Sequence, residues 1–267
     1  MSRIQRLFDT KAGTPAFTFF VTAGYPEAGC TPELVRTLEQ SGADMVELGM
    51  PFSDPLADGP TIQLASETAI ANGTTIAGIF EMVREIRATS DIPLVLMGYV
   101  NPVMRYGMDR FFRDAAQAGA DGVILPDVPL EESAPFKAAC VSNGLDLIQL
   151  VAPTTPDDRM RAVDEASSGF VYCVSVTGVT GARDGTALAA SIDRFKDRVK
   201  ANIRRNPVQV GFGIRSHEDA KRMVSGFQGV IIGSALIDAI RTAYPAPDWM
   251  SAVATFVRTL TQGPISE

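Results

Sequence analysis

The sequence predicts an α/β protein, a single-domain (β/α)8 barrel of the TIM type over residues 1–267 with an extra N-terminal helix, and three observations lead there. Short apolar runs alternate with helix-period stretches along the chain. The runs number eight, and eight such units in 267 residues match the size of a closed barrel. No linker, low-complexity tract or shift of composition divides the chain. A doubly wound open sheet is the alternative topology.

The elements follow in order. Met1-Ser-Arg-Ile-Gln-Arg-Leu-Phe-Asp reads as a short amphipathic helix without the apolar core of a signal segment. Strands are expected at 17–22, 44–48, 93–97, 122–125, 147–151, 170–175, 208–211 and 229–232. Their near-continuous apolar character fits a parallel sheet covered by helices. Helix-period stretches lie at 31–40, 76–89, 109–118, 131–143, 155–167, 187–200, 216–225 and 249–260. An internal echo supports the repeat: Ser41-Gly-Ala-Asp-Met-Val-Glu-Leu48 recurs 77 residues later as Ala118-Gly-Ala-Asp-Gly-Val-Ile-Leu125. In each copy glycine closes a helix and aspartate opens a buried strand.

Composition narrows the function. A chain that is 46% apolar buries a large core, and a net charge of −7 argues against nucleic acid, so an anionic ligand must be held by local geometry. Cys30, Cys140 and Cys173 are odd in number and widely spaced, which fits reduced core thiols in a cytoplasmic protein. No stretch approaches membrane-spanning length.

The segment Val46-Glu-Leu-Gly-Met-Pro-Phe-Ser-Asp-Pro-Leu-Ala-Asp-Gly-Pro60 carries the chemistry. Glu47 sits between Val46 and Leu48, whose burial disfavours the charged carboxylate and raises its pKa. Such a group can both give and take a proton. Asp58 follows 11 residues later in a loop stiffened by Pro51, Pro55 and Pro60. Asp54, directly before Pro55, equally suits a simple turn.

In a barrel the strand C-termini form the active face. Gly181, Gly213, Gly233 and Ser234 follow strands 6, 7 and 8, where backbone N–H groups can hold a phosphate, although each glycine also serves an ordinary turn. The five lysines, Lys11, Lys137, Lys196, Lys200 and Lys221, fall in or near predicted helices, so no strand end offers a Schiff-base amine. The one histidine, His217, opens a helix and cannot alone build a common metal centre. Proton transfer by carboxylates on a phosphorylated substrate is left, with Phe20, Tyr99, Tyr172 and Phe212 placed either to cover an apolar part or to fill the barrel.

Glu47 through Gln63, with Phe19-Phe-Val-Thr-Ala-Gly-Tyr-Pro26, Pro126-Asp-Val-Pro129, Ser175-Val-Thr-Gly-Val-Thr-Gly181 and Gly211-Phe-Gly-Ile214, closely resembles the tryptophan synthase α-subunit family over nearly the whole chain. The resemblance implies cofactor-free retro-aldol cleavage of indole-3-glycerol phosphate to indole and glyceraldehyde 3-phosphate. It implies Glu47 as acid and base at indole C3 and the glycerol hydroxyl, and Asp58 as acceptor of the indole N–H. Tyr172 and Phe212 would flank the indole, and Gly181, Gly213, Gly233 and Ser234 would hold the phosphate. The glycine-rich loop 177–185 would close as a lid, with Thr180 bonding the loop aspartate. The family's β subunit carries pyridoxal phosphate and joins in a linear αββα heterotetramer; Asp54, Pro55 and Pro129 match its contact surface. Two positions depart from the family pattern: Arg215 stands where many members carry serine, and Pro126 stands where some relatives carry a small residue. A lyase that releases free indole without a partner, and a noncatalytic regulatory subunit, are the other readings.

Overall fold

The structure, a computed structural model, describes residues 1–174, 185–211, 214, 216–224 and 226–263. Eight parallel strands close into a barrel in chain order: β1 (Ala16–Thr22), β2 (Met45–Gly49), β3 (Leu94–Met97), β4 (Gly122–Ile124), β5 (Asp146–Val151), β6 (Val171–Val174), β7 (Val208–Gly211) and β8 (Gly229–Ile232). β8 returns to pair with β1 from Ala16↔Gly229 to Phe19↔Ile232, which closes the ring and leaves no open sheet edge. The doubly wound alternative is thereby set aside.

Twelve α-helices are described around it. Those before β4 are α1 (Arg3–Thr10), α2 (Thr31–Gln40), α3 (Pro60–Ala71), α4 (Ile76–Arg87), α5 (Val100–Tyr106) and α6 (Met108–Ala118). The rest are α7 (Ala134–Asn143), α8 (Asp157–Ala166), α9 (Gly185–Asn202), α10 (His217–Val224), α11 (Ser234–Ala243) and α12 (Trp249–Gln262). Among the described residues no helix is long and apolar enough to cross a membrane.

Strand side chains alternate between two cores, as the period of two requires. Val46 and Leu48 face the layer between barrel and helices. Met45 faces the barrel interior with Val95, Ile124, Ile148, Phe170 and Ile231. Glu47, one step from both Val46 and Leu48, is thereby turned inward. One polar pair inside is satisfied: Thr18 Oγ1 donates to Gln209 Oε1 at 2.6 Å.

Helix α1 closes the N-terminal mouth. Ser2 caps it by accepting the Gln5 N–H at 3.2 Å, and Ile4 and Phe8 join the interior cluster, Phe8 packing on Phe170 with ring centroids 6.3 Å apart. The echoed segments are structurally alike. Gly42 and Gly119 both adopt φ of +103°, a conformation that L side chains rarely take. Asp44 and Asp121 each accept an N–H near the start of the preceding strand, from Phe17, second in β1, and Leu94, first in β3, both at 2.8 Å. Each is neutralised, Asp44 by Lys11 at 2.8 Å and Asp121 by Arg87 at 2.6 Å.

Three helices go beyond the sequence expectation: α3, α5 and α11. Along α3 the small residues Ala65, Ser66 and Ala69 are buried while Leu64 and Ile70 are exposed, so hydrophobic periodicity runs against the buried face. Helix α7 begins at Ala134 instead of 131, because Leu130–Glu132 form a 3₁₀ turn and Pro135 suits only a first helical turn.

Candidate active site

Glu47 lies on β2 beside Phe20 of β1 and Val95 of β3. It is fully buried, and neither carboxylate oxygen has a hydrogen-bond partner among the described residues. Burial pushes its pKa up to about 8, so the group is mostly protonated at neutral pH. An unpaired buried carboxyl is costly, and such groups cluster where chemistry needs them.

A cavity of about 440 Å³ opens at the C-terminal ends of the strands, lined by Phe20, the β1 partner of Glu47, but not by Glu47 itself. Its apolar wall includes Phe20, Ile62, Met97, Leu150, Tyr172 and Ile231, and its polar side includes Asp58, Ser234 and Asp238. Gly49 makes room for one wall: a Cβ there would collide with Phe20 Cζ. Tyr172 feels the charge of both acids. Burial raises its pKa well above the ordinary phenol value, and the charges of Glu47 and Asp58 raise it further.

Asp58 is held by its own loop. Its N–H donates to the Pro55 carbonyl at 3.2 Å, and Gln63 Nε2 donates to its carbonyl at 2.8 Å. Burial raises its carboxyl pKa, while a hydrogen bond from Tyr99 pulls the other way. Tyr99 sits behind this loop instead of on the large cavity. Its hydroxyl accepts the Ala57 N–H at 2.9 Å, and the ring borders a second cavity of about 20 Å³ with Thr22, Ser66 and Met50.

Gly233 and Ser234 open α11 on the rim of the large cavity. The N–H groups of Leu236 and Ile237 turn back to the Gly233 carbonyl at 2.9 and 3.1 Å. Those of Ser234 and Ala235, at the first helical positions, have no intrahelical acceptor and suit an anion.

The structure thus brings Phe20, Asp58, Tyr172, Gly233 and Ser234 around one cavity, with Glu47 buried beside Phe20 and Tyr99 behind Asp58. Thr180, Gly181, Phe212, Gly213, Arg215 and most of the 177–185 loop lie outside the described residues. Pro126 lines both cavities. The five lysines all lie on helices or just after α1, and His217 Nδ1 bonds the Leu260 carbonyl at 2.7 Å on α12. Sequence reasoning missed Met97 and Leu150, although both stand two positions beyond inward-facing residues, Val95 and Ile148. Asp238 was missed because α11 itself was not foreseen.

Fold and site together define the class: a (β/α)8-barrel enzyme whose active face joins an apolar pocket, two buried or half-buried carboxyls and a helix N-terminus. A family model described as "Tryptophan synthase alpha chain" matches residues 8–262. The tryptophan synthase alpha chain of Geobacter sulfurreducens is 47% identical over 245 residues, covering 92% of this chain and 91% of that one. The crystal structure of tryptophan synthase subunit alpha from Legionella pneumophila superposes with a TM-score of 0.89 at 37% identity, covering 98% of each chain. A chain of the tryptophan synthase complex from Pyrococcus furiosus gives a TM-score of 0.82 at 34% identity, covering 92% of this chain and 97% of that one. The chain belongs to the tryptophan synthase alpha chain family. It is a lyase, and its function is the alpha reaction of tryptophan biosynthesis, cleavage of indole-3-glycerol phosphate to indole and glyceraldehyde 3-phosphate.

Proposed function

We propose that the chain acts as one domain and a carbon–carbon lyase in which Glu47 carries both proton transfers and Asp58 steadies the indole. The observation that supports this most is the fully buried Glu47 carboxyl, unpartnered among the described residues and with a pKa of about 8, beside Phe20, which lines a cavity with Asp58. Protonated Glu47 gives its proton to indole C3, and Asp58 accepts a hydrogen bond from the indole N–H as positive charge develops there. The Glu47 carboxylate then takes the hydroxyl proton on the adjacent glycerol carbon. The bond from that carbon to C3 breaks, its electrons return to the indole ring, the aldehyde forms, and Glu47 is again protonated. No external oxidant, reductant or cofactor enters the balance.

Phe20 and Tyr172 enclose the indole, with Phe212 assigned there by family resemblance. Gly233 and Ser234 hold the phosphate through N–H groups at the start of α11, and Gly181 and Gly213 are assigned to it on the same resemblance, as Thr180 is to lid closure. Tyr99 contributes by holding the Asp58 loop. Pyridoxal phosphate belongs to a β-subunit partner in an α2β2 heterotetramer, and the location is cytoplasmic. Asp54 and Pro129 are exposed, Pro55 is half-buried, and Leu56 on the same loop is 96% exposed, which leaves this surface free to meet that partner.

The test incubates the purified chain with indole-3-glycerol phosphate, alone and with a tryptophan synthase β subunit, beside Glu47→Gln. Slow cleavage that the partner accelerates and the substitution abolishes is the expected result. Fast cleavage indifferent to the partner would indicate an indole-releasing lyase, and full activity of Glu47→Gln would remove the proton-transfer assignment.

A further inference from the structure

Asp127, between Pro126 and Pro129, lies exposed outside the cavity, yet its two carboxylate oxygens accept the N–H of Val100 at 3.0 and 3.1 Å. That N–H opens α5, whose N-cap residue, Tyr99, supplies no side-chain acceptor of its own. The carboxylate of another strand end therefore performs the capping. One residue earlier the main chain is equally constrained. The Gly98 N–H donates to the Ile124 carbonyl at 3.1 Å, and a Cβ on Gly98 would stand 2.8 Å from Met50 Cε.

Tyr99 thus leaves a backbone pinned on both sides, with its side chain only 5% exposed and its ring 5.4 Å from that of Phe52. Its hydroxyl reaches the opposite loop, accepting the Ala57 N–H at 2.9 Å, one residue before Asp58. Neither Asp127 nor Tyr99 is among the described residues that line the large cavity.

We infer that Asp127 is a positioning residue for the lyase reaction: by fixing the start of α5 it sets the Tyr99 hydroxyl, and through it the placement of Asp58. The inference rests on the assignment of Asp58 to the indole N–H. A carboxylate displaced by a fraction of an ångström is poorly placed for a developing charge, so the loss falls on turnover more than on substrate binding.

The experiment measures kcat and KM for indole-3-glycerol phosphate cleavage by the full chain with a β subunit present. The variants are Asp127→Ala, Asp127→Asn, Tyr99→Phe, the double variant Asp127→Ala/Tyr99→Phe, and Asp58→Asn as control, with thermal unfolding recorded for each. Asp127→Ala is expected to lower kcat about tenfold with KM changed less than about twofold, and Asp127→Asn, which keeps one acceptor oxygen, to recover most of it. With Tyr99→Phe already present, Asp127→Ala should cost less than about twofold more, because the route it acts through is gone. Independent, multiplicative losses would overturn the inference, as would unchanged kcat in Asp127→Ala while Asp58→Asn is inactive. Full activity of Asp58→Asn would instead remove the assignment of Asp58 itself. A fall in the unfolding midpoint with kcat per folded molecule unchanged would reduce Asp127 to a helix cap.

Discussion

Tyr172 of β6 closes over Gly211 of β7: a Cβ on the glycine would stand 2.7 Å from Tyr172 Oη and 2.9 Å from its Cε2. The absence of a side chain on one strand end is what lets the phenol of the next lie in the pocket wall. Gly211→Ala therefore displaces the ring. The variant is expected to raise KM for indole-3-glycerol phosphate about tenfold, with about 1–3 kcal/mol lost from overpacking. Steady-state kinetics with urea unfolding check this, and an unchanged KM would mean that the ring is not part of the substrate wall.

Glu47 links activity to pH. It is raised from an ordinary 4.5 to about 8, and the protonated form begins the reaction proposed above, so kcat/KM should fall as pH rises through about 8. A pH–rate profile from 6 to about 9.5 reads this directly, and a rate still climbing across that range would contradict the acid role.

The same shift links stability to pH, with the opposite sense from a salt-bridged acid. Between about 4.5 and about 8 the folded chain keeps a proton that the unfolded chain has released, so raising pH through that window destabilises the fold. Below it both states are protonated and the penalty is absent. Glu47→Gln removes the ionisation, and its stability relative to the parent should improve by about 1.4 kcal/mol per pH unit across the window. Urea unfolding of both proteins at the two ends of the window measures it; parallel stability curves would show that Glu47 ionises as easily in the fold as outside it.

Gly233 separates fold from ligand. Among the described residues, a Cβ there would meet nothing nearer than Phe20 at 3.6 Å, an ordinary contact. Gly233→Ala should leave the unfolding midpoint within about 2 °C of the parent while weakening inorganic phosphate and substrate binding about tenfold or more. Calorimetric titration with both ligands is the measurement. Unaltered binding would move the phosphate away from the start of α11.

Asp121 is a stability residue on the face away from the cavity. It is 5% exposed, accepts the Leu94 N–H, and pairs with Arg87 at 2.6 Å and Arg3 at 3.1 Å. Asp121→Ala leaves Arg87 in a buried site without its carboxylate and should cost about 3–5 kcal/mol, with kcat per folded molecule unchanged. Chemical denaturation alongside activity at low temperature checks both halves.

Much of this was legible in the chain. The positions of β2 and β7, the buried carboxyl between Val46 and Leu48, and the paired Gly-Ala-Asp turns all follow from local pattern: an apolar run, a period of two and a positive-φ glycine are properties of neighbouring residues. The 3₁₀ turn ahead of α7 and the three additional helices were less accessible, because their hydrophobic faces are short, broken or reversed.

By itself the sequence determined eight strand units, an acid placed among apolar neighbours, and an N-terminal helix with one apolar face. Tertiary structure alone decided that Ile4 and Phe8 seal the barrel floor, that Met97 and Leu150 meet Tyr172 around one cavity, and that Tyr99 serves the Asp58 loop. It also decided that Asp127 caps a helix opened 27 residues earlier. The reason is geometric: closing the sheet brings strand ends distant in sequence to one rim, and a side chain's distance to a partner on another strand is set by register and barrel curvature, which no local pattern encodes.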